Sequence, residues 1–292
     1  MSDAIPFRRA AILGLGLIGG SFALALKRAH PETAIVGFDR PETLERAKKR
    51  EPLAAVLQET TADLATAVHG ADLIYVALPI VAAVEALPAI AASAAAGALI
   101  TDACSTKSAI CGAAADVFRK GARFLGGHPM AGKEQSGIEH ADADLFRGAR
   151  YALIALETDP DLRVQKFAAL LHKIGAEPVW CDADTHDWAA GVVSHLPQMV
   201  SIALARVIAD ETDETGLPVS LAGSGLRDAL RLAASPYSVW RDICLTNTDN
   251  IARSLDRLEQ AVSYLRTRLA SRELEQEFRA ANELYKTLHK LQ

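Results

Sequence analysis

Two kinds of hydrophobic run alternate along the first part of the chain. Short, almost wholly apolar runs stop at Gly, Pro or Asp: Arg9–Leu13 before Gly14, Ala34–Phe38 before Asp39, Leu73–Leu78 before Pro79, Leu99–Thr101 before Asp102, and Arg123–Leu125 before a glycine pair. Runs of that length with no polar alternation fit strands buried on both faces. Helical segments separate them, beginning with the small, apolar Ile18–Ala29 and the polar PETLERAKKR, where Pro41 suits a helix start. Strands alternating with helices imply a parallel sheet, because parallel neighbours need crossover connections. Tyr151–Leu156 and Pro178–Trp180, flanking a helix over Leu162–Ile174, extend the same sheet. Beyond Asp184 the period changes: no alternating strand follows, only long helical patterns at Trp188–Ile208 and Ile251–Leu269 and a charged run. The expected architecture is α/β, a Rossmann-type doubly wound, mainly parallel sheet over residues 1–182 followed by an all-helical domain over 183–292. No repeat or low-complexity linker separates the two, so they should pack tightly.

Composition narrows the function. Half of the 292 residues are hydrophobic but only 5% are aromatic, which favours alanine-rich helices over an aromatic-cored β-sandwich. With 31 Lys plus Arg against 36 Asp plus Glu, the net charge of -5 provides no basic footprint for nucleic acid. The N-terminal MSDAIPFRRAAILGLG lacks the charged-then-apolar pattern of a signal segment. The apolar stretch Leu73–Ile100 is broken by Pro79, Glu85 and Pro88, so no membrane span is expected there. Cys104, Cys111, Cys181 and Cys244 form no C-x-x-C pair, which suits reduced thiols and a cytoplasmic protein, with no metal site expected.

The first candidate site is Gly14-Leu15-Gly16-Leu17-Ile18-Gly19, directly after the first strand and opening the first helix. Gly14 permits a tight turn, Gly16 lets the backbone approach a pyrophosphate, and Gly19 lets helix and strand pack closely. Asp39 closes the second strand 20 residues after Gly19, where a carboxylate accepts hydrogen bonds from an adenosine ribose. That acid favours NAD by repelling a 2'-phosphate, while Arg40 beside it leaves NADP open. The second candidate is His128, in Gly126-Gly127-His128-Pro129-Met130-Ala131-Gly132 after a strand. Ligands in such sheets bind beyond the carboxyl ends of strands, so His128 is placed to take a proton from an alcohol.

Taken together, GLGLIGGS, the D-x-x-S-x-K of Asp102–Lys107, GGHPMAGKEQSG from Gly126, GVVSHLPQ from Gly191 and GLRDALRLAASPYSVWRD from Gly225 resemble the prephenate and arogenate dehydrogenases of tyrosine biosynthesis, in the family's order across both halves. The resemblance implies oxidative decarboxylation of a cyclohexadienyl acid in a homodimer whose helical domain binds substrate and dimerises. It further implies that His128 accepts the proton of the ring hydroxyl with Ser105 as its orienting partner, and that Arg231 binds the ring carboxylate. His195 would lie near substrate and cofactor, Trp240 would line the side-chain pocket, and Glu134 would help to close the site. Two positions depart from the pattern. Cys104 stands where glycine is common. Gln198 stands where many prephenate-using members carry a second histidine, so one fewer potential cation could suit the ammonium of arogenate. Competing readings are a Rossmann-plus-helical hydroxyacid or imine reductase, and a non-catalytic NAD-sensing protein; the HPMAG segment and the combination of His128, Ser105 and Arg231 speak against them.

Overall fold

A computed structural model of the chain describes residues 7–118, 122–133, 135–156 and 161–290. Eight strands form one sheet: β1 (Arg9–Leu13), β2 (Ala34–Phe38), β3 (Glu59–Thr61), β4 (Leu73–Val76), β5 (Leu99–Asp102), β6 (Arg123–Pro129), β7 (Arg150–Ala155) and β8 (Glu177–Trp180). Their spatial order is β3-β2-β1-β4-β5-β6-β7-β8. The first six run parallel, β7 pairs antiparallel with β6, and β8 pairs parallel with β7. The order reverses between β1 and β4, which is the switch point where such sheets open a crevice at their carboxyl edge.

The covering helices are α1 (Leu17–Ala29), α2 (Pro41–Lys49), α3 (Leu53–Val56), α4 (Leu64–Val68), α5 (Ile80–Ser93), α6 (Ser108–Val117) and α7 (Leu162–Lys173). Alternate strand residues feed two cores, as the pleat requires. Ala10, Ile12, Leu73 and Tyr75 pack with Phe22 of α1 and Phe167 of α7. Ala11, Leu13, Ile74 and Val76 pack with Val68, Leu87 and Ile110 of α4, α5 and α6.

From Ala183 onward the chain is helical: α8 (Ala183–Ala190), a π-helical turn (Gly191–His195), α9 (Leu196–Asp210), α10 (Leu217–Ser220), α11 (Ser224–Leu230), a 3-10 turn (Arg231–Ala234), α12 (Tyr237–Thr246), α13 (Thr248–Thr267) and α14 (Leu274–Lys290). Ile243 of α12 and Ile251 of α13 join the core under α5 and α6, so the helices dock on that face of the sheet. The continuous helical run 183–210 is long and apolar enough by composition to cross a bilayer. It also carries His186, Asp187, His195, Gln198 and Ser201, all buried against the rest of the chain and hydrogen-bonded to it. Those polar contacts seat one face of the helix in the fold, while Trp188, Val193, Ile202 and Val207 are exposed in the single chain.

Strand β6 is longer than its hydrophobic run. Arg123–Leu125 pair with β5, but the strand then continues through Gly126 and Gly127 to place His128 opposite Ala152 of β7. The glycines are strand residues, not a turn, and the reason is steric. A Cβ on Gly127 would stand 2.4 Å from the Asp102 carbonyl oxygen, and one on Gly126 would stand 2.8 Å from Cys111 Sγ. Asp102 and Lys107 lock this stretch: Gly127 N–H donates to Asp102 Oδ1 at 2.9 Å, and Lys107 Nζ donates to the Gly127 carbonyl at 2.6 Å. The two side chains also pair with each other, both fully buried. Burial opposes the charge on Lys107, but the Asp102 carboxylate more than compensates and holds its pKa above the ordinary value.

Candidate active site

A cavity of about 1030 Å³ opens at the switch point, between the carboxyl edge of the sheet and α12. One end is built by the glycine turn. Gly14 has φ +96°, a conformation that suits glycine, and a Cβ there would lie 2.5 Å from the Ala77 carbonyl oxygen. A Cβ on Gly19 would fall 1.8 Å from the Gly14 oxygen, so helix and turn touch backbone to backbone. Gly16 is different: a Cβ on it would meet nothing within 4 Å, and the residue lines the cavity with Leu17 and Ile18. The first turn of α1 has no side-chain cap, so its N–H groups are left for an anion. The room over Gly16 and these donors fit a pyrophosphate. Asp39 lines the same end, its carboxylate held by Leu15 N–H at 2.7 Å and Arg40 N–H at 2.7 Å. Arg40, Thr43 and Arg46 complete that wall.

At the other end stand Ser105, His128, Pro129 and Ala131, faced by Ser238, Val239 and Asp242 of α12. His128 is buried, and its Nδ1 lies 2.9 Å from His186 Nε2. His186 Nδ1 in turn lies 2.8 Å from Asp187 Oδ1. Asp187 also accepts the backbone N–H groups of Lys107 at 2.7 Å and Ser108 at 2.9 Å. Burial raises the cost of its charge, but the bonds from His186 and those amides keep its pKa below the ordinary carboxylate value. An ionised Asp187 can only accept, so His186 carries its proton on Nδ1. With His186 Nε2 as the acceptor of this contact, His128 donates from Nδ1. That leaves the Nε2 lone pair of His128, which has no protein partner among the described residues, as a hydrogen-bond acceptor at the cavity.

Burial, followed by the neighbouring His186, Lys107 and His195, pushes the pKa of His128 well below that of a free imidazole. Burial also lowers His195 to about 4. Both histidines are thus neutral in the folded protein at pH values where the unfolded chain binds protons. The sign follows from linkage: between about 4 and 6.5 the unfolded state holds more protons, so stability rises with pH through that window and is lost on acidification. Urea melts at pH 5 and pH 7 should show a lower midpoint at pH 5, and the difference should shrink in His195→Gln; an identical difference in both proteins would refute the assignment.

The other residues singled out from the sequence are dispersed. Ser105 lines the cavity, but the hydrogen-bond partner of His128 is His186, and Ser105 makes no hydrogen bond among the described residues. His195 is buried on the π-helical turn, accepts from Asn247 Nδ2 at 3.0 Å and packs edge-on against Trp240; neither ring lines the cavity of its own chain. Asn247 also donates to the Asp187 carbonyl, so His195 lies in a layer behind the His186–Asp187 pair. Gln198 is likewise internal. Its Nε2 donates to the Leu232 carbonyl at 2.9 Å, within the turn that carries Arg231, and its Oε1 is buried without a partner among the described residues. Arg231 is exposed and lies outside the cavity lining of its own chain. Glu134 falls outside the described residues. Cys104 is buried, and burial followed by the Asp102 carboxylate pushes its thiol well above the ordinary pKa, which disfavours the reactive thiolate.

Two family models match the chain: the nucleotide-binding domain of prephenate dehydrogenase over residues 22–179 and its dimerization domain over residues 182–288. The chain belongs to the prephenate dehydrogenase family. It is 37% identical to prephenate dehydrogenase of Lactococcus lactis over 260 residues, which cover 88% of this chain and 69% of that one. It superimposes on Aquifex aeolicus prephenate dehydrogenase, solved with hydroxyphenyl propionate and NAD+, with a TM-score of 0.86 at 25% identity over 99% of this chain and 100% of that one. For Synechocystis arogenate dehydrogenase the TM-score is 0.78 at 28% identity, covering 97% and 99%. The enzyme is thus an oxidoreductase with a nucleotide-binding α/β domain and a helical second domain. His186 and Asp187 are the members of its site that the motifs did not flag. Their only sequence signal is adjacency at the start of the first C-terminal helix, 58 residues from His128.

Proposed function

We propose that the enzyme carries out NAD-dependent oxidative decarboxylation of prephenate and/or arogenate, giving 4-hydroxyphenylpyruvate or tyrosine. The observation that carries this reading is the hydrogen-bond chain from Asp187 through His186 to His128, which leaves a neutral imidazole nitrogen as a base in a cavity shared with the glycine turn. NAD, when bound, supplies the hydride acceptor. The amides of Gly16, Leu17 and Ile18 would hold its pyrophosphate and Asp39 its adenosine ribose. The reaction removes a hydride from C4 and carbon dioxide from C1; the hydroxyl proton leaves as the C4 carbonyl forms and returns to that oxygen as loss of carbon dioxide aromatises the ring to the phenol, which drives the reaction. His128 Nε2 takes the hydroxyl proton, and the bond from His128 Nδ1–H to His186 stabilises the imidazolium that results, as the acid does in other charge-buttressed histidine bases. Ser105, on the same wall, is positioned to hydrogen-bond the hydroxyl. Progress curves of NAD reduction with each substrate test the reading, and absence of a phenolic product from both would overturn it. Parallel kcat/KM values for the two substrates decide between them; a strong prephenate preference unchanged in Gln198→His would remove Gln198 from substrate choice.

We assign Arg231 to the ring carboxylate of substrate in a second protomer's site. Its exposed position supports this, as does the broad apolar surface of the helical domain, where Leu217, Leu221, Leu245, Phe278 and Leu284 are all exposed in the single chain. A guanidinium suits this task because its planar fork matches a carboxylate. His195, Gln198 and Trp240 support the layer behind the base and the turn that carries Arg231. Mixed dimers of His128→Asn with Arg231→Ala should regain one intact site, whereas each parent is inactive; no recovery on mixing would place Arg231 in its own chain's site. The free thiols are consistent with a cytoplasmic enzyme.

A further inference from the structure

The adenosine end of the cavity carries more positive charge than a ribose diol needs. Asp39, Arg40 and Arg46 all line it, and a 2'-phosphate, with close to two negative charges at neutral pH, would be attracted by the two guanidinium groups and repelled by Asp39. One of those cations is already engaged. Arg46 NH1 lies 3.3 Å from Glu139 Oε1, and Glu139 belongs to the segment that follows the catalytic strand, not to the wall itself.

That segment is anchored so that Glu139 is presented to α2. Asp142 N–H donates to Ser21 Oγ on α1 at 2.8 Å, Arg50 donates to the Ala141 carbonyl at 3.3 Å, and Lys133 pairs with Asp142 at 3.0 Å. Ile138 between them is fully buried. Gly137 has φ +102°, and a Cβ on it would stand 2.8 Å from Glu139 Oε2, so the carboxylate folds back over a position where a side chain would push it away.

We propose that Glu139 is a specificity-determining residue for the cofactor: by pairing with Arg46 it withdraws that cation from the adenosine wall and leaves Asp39 to select the free ribose diol. In charge terms the wall carries Asp39 and Arg40, which offset each other, and a neutralised Arg46–Glu139 pair. Removing the Glu139 charge frees one cation for a 2'-phosphate without touching any group that would bind a 2'-hydroxyl. Glu139 therefore disfavours NADP from a distance, in addition to the direct repulsion by Asp39.

The proposal rests on the nucleotide reading of this cavity, and the test separates the two. Isothermal titration of ADP-ribose and 2'-phospho-ADP-ribose into the wild-type protein and Glu139→Gln reads binding without turnover. In Glu139→Gln the affinity for the 2'-phosphorylated ligand should rise about fivefold, the upper range for an exposed ion pair, while that for ADP-ribose stays the same. The gain should vanish in Glu139→Gln/Arg46→Met and shrink with added salt. Equal changes for both ligands, or no change in their ratio, would overturn the role of Glu139 while leaving the nucleotide site intact. A wild-type protein that binds neither ligand would overturn both.

Discussion

Replacing His128 with asparagine should lower kcat by about 10²- to 10⁴-fold, the usual contribution of a positioned base, while nucleotide affinity stays at the wild-type level. Asparagine retains an amide that can donate toward His186 Nε2, so the wall keeps its shape and only the acceptor at the cavity is lost. Initial rates with saturating substrate, together with a nucleotide titration, check this. Wild-type kcat in the variant would exclude His128 as the base. Asp187→Asn should approach the same loss by a different route. An amide at 187 can donate where the carboxylate only accepts, so His186 no longer needs to carry its proton on Nδ1, and the tautomer that presents His128 Nε2 as a lone pair is no longer enforced. Because Asp187 also accepts the first amides of α6, the variant's melting temperature should be measured alongside.

The largest expected effect on stability lies at Lys107. Lys107→Met removes one partner of a fully buried ion pair and leaves the Asp102 carboxylate uncompensated, a change that typically costs about 3–5 kcal/mol. In a domain of this size that corresponds to a fall in Tm of roughly 6–20 °C. The loss should extend to function, because Lys107 Nζ and Asp102 together hold both backbone groups of Gly127, the residue before the base. Replacing both charges, in Asp102→Leu/Lys107→Met, should recover part of the stability because no lone charge is left buried, but not the activity. A single Lys107→Met variant that melts at the wild-type temperature would show that the pair is energetically neutral.

Much of the cofactor domain was legible from local pattern. Strands buried on both faces are apolar throughout, and β1, β2, β4 and β5 announced themselves that way. The glycine turn was legible because each of its glycines answers a separate steric demand: a positive φ at Gly14, open space at Gly16, and a 1.8 Å clash avoided at Gly19. Strand β3 carries no such signal, since Glu59, Thr60 and Thr61 form a short, partly exposed edge. The full length of β6 was hidden for the opposite reason. Its second half is Gly-Gly-His-Pro, a composition that suggests a turn, and only the crowding by Asp102 and Cys111 explains why glycine serves as a strand residue there.

The site divides the same way. Residue types and spacing determined the nucleotide turn, the acid at the end of β2 and the candidate base, because those groups act through the element on which they sit. The partner of that base was decided by tertiary structure. Ser105 stands near His128 in motif order, yet the hydrogen bond goes to His186, which the docking of α8 against the N-terminus of α6 brings in from 58 residues away. Gln198 and His195 read in sequence as pocket residues on a helix, but helix phase alone does not say which neighbour a face meets. Packing turned the amide of Gln198 toward the turn that carries Arg231, and the imidazole of His195 toward Asn247. The sequence by itself thus determined the fold class and the class of chemistry, through backbone geometry and residue type. The partner that orients His128 came only from the fold, which places His186 and the amide-held Asp187 carboxylate behind it.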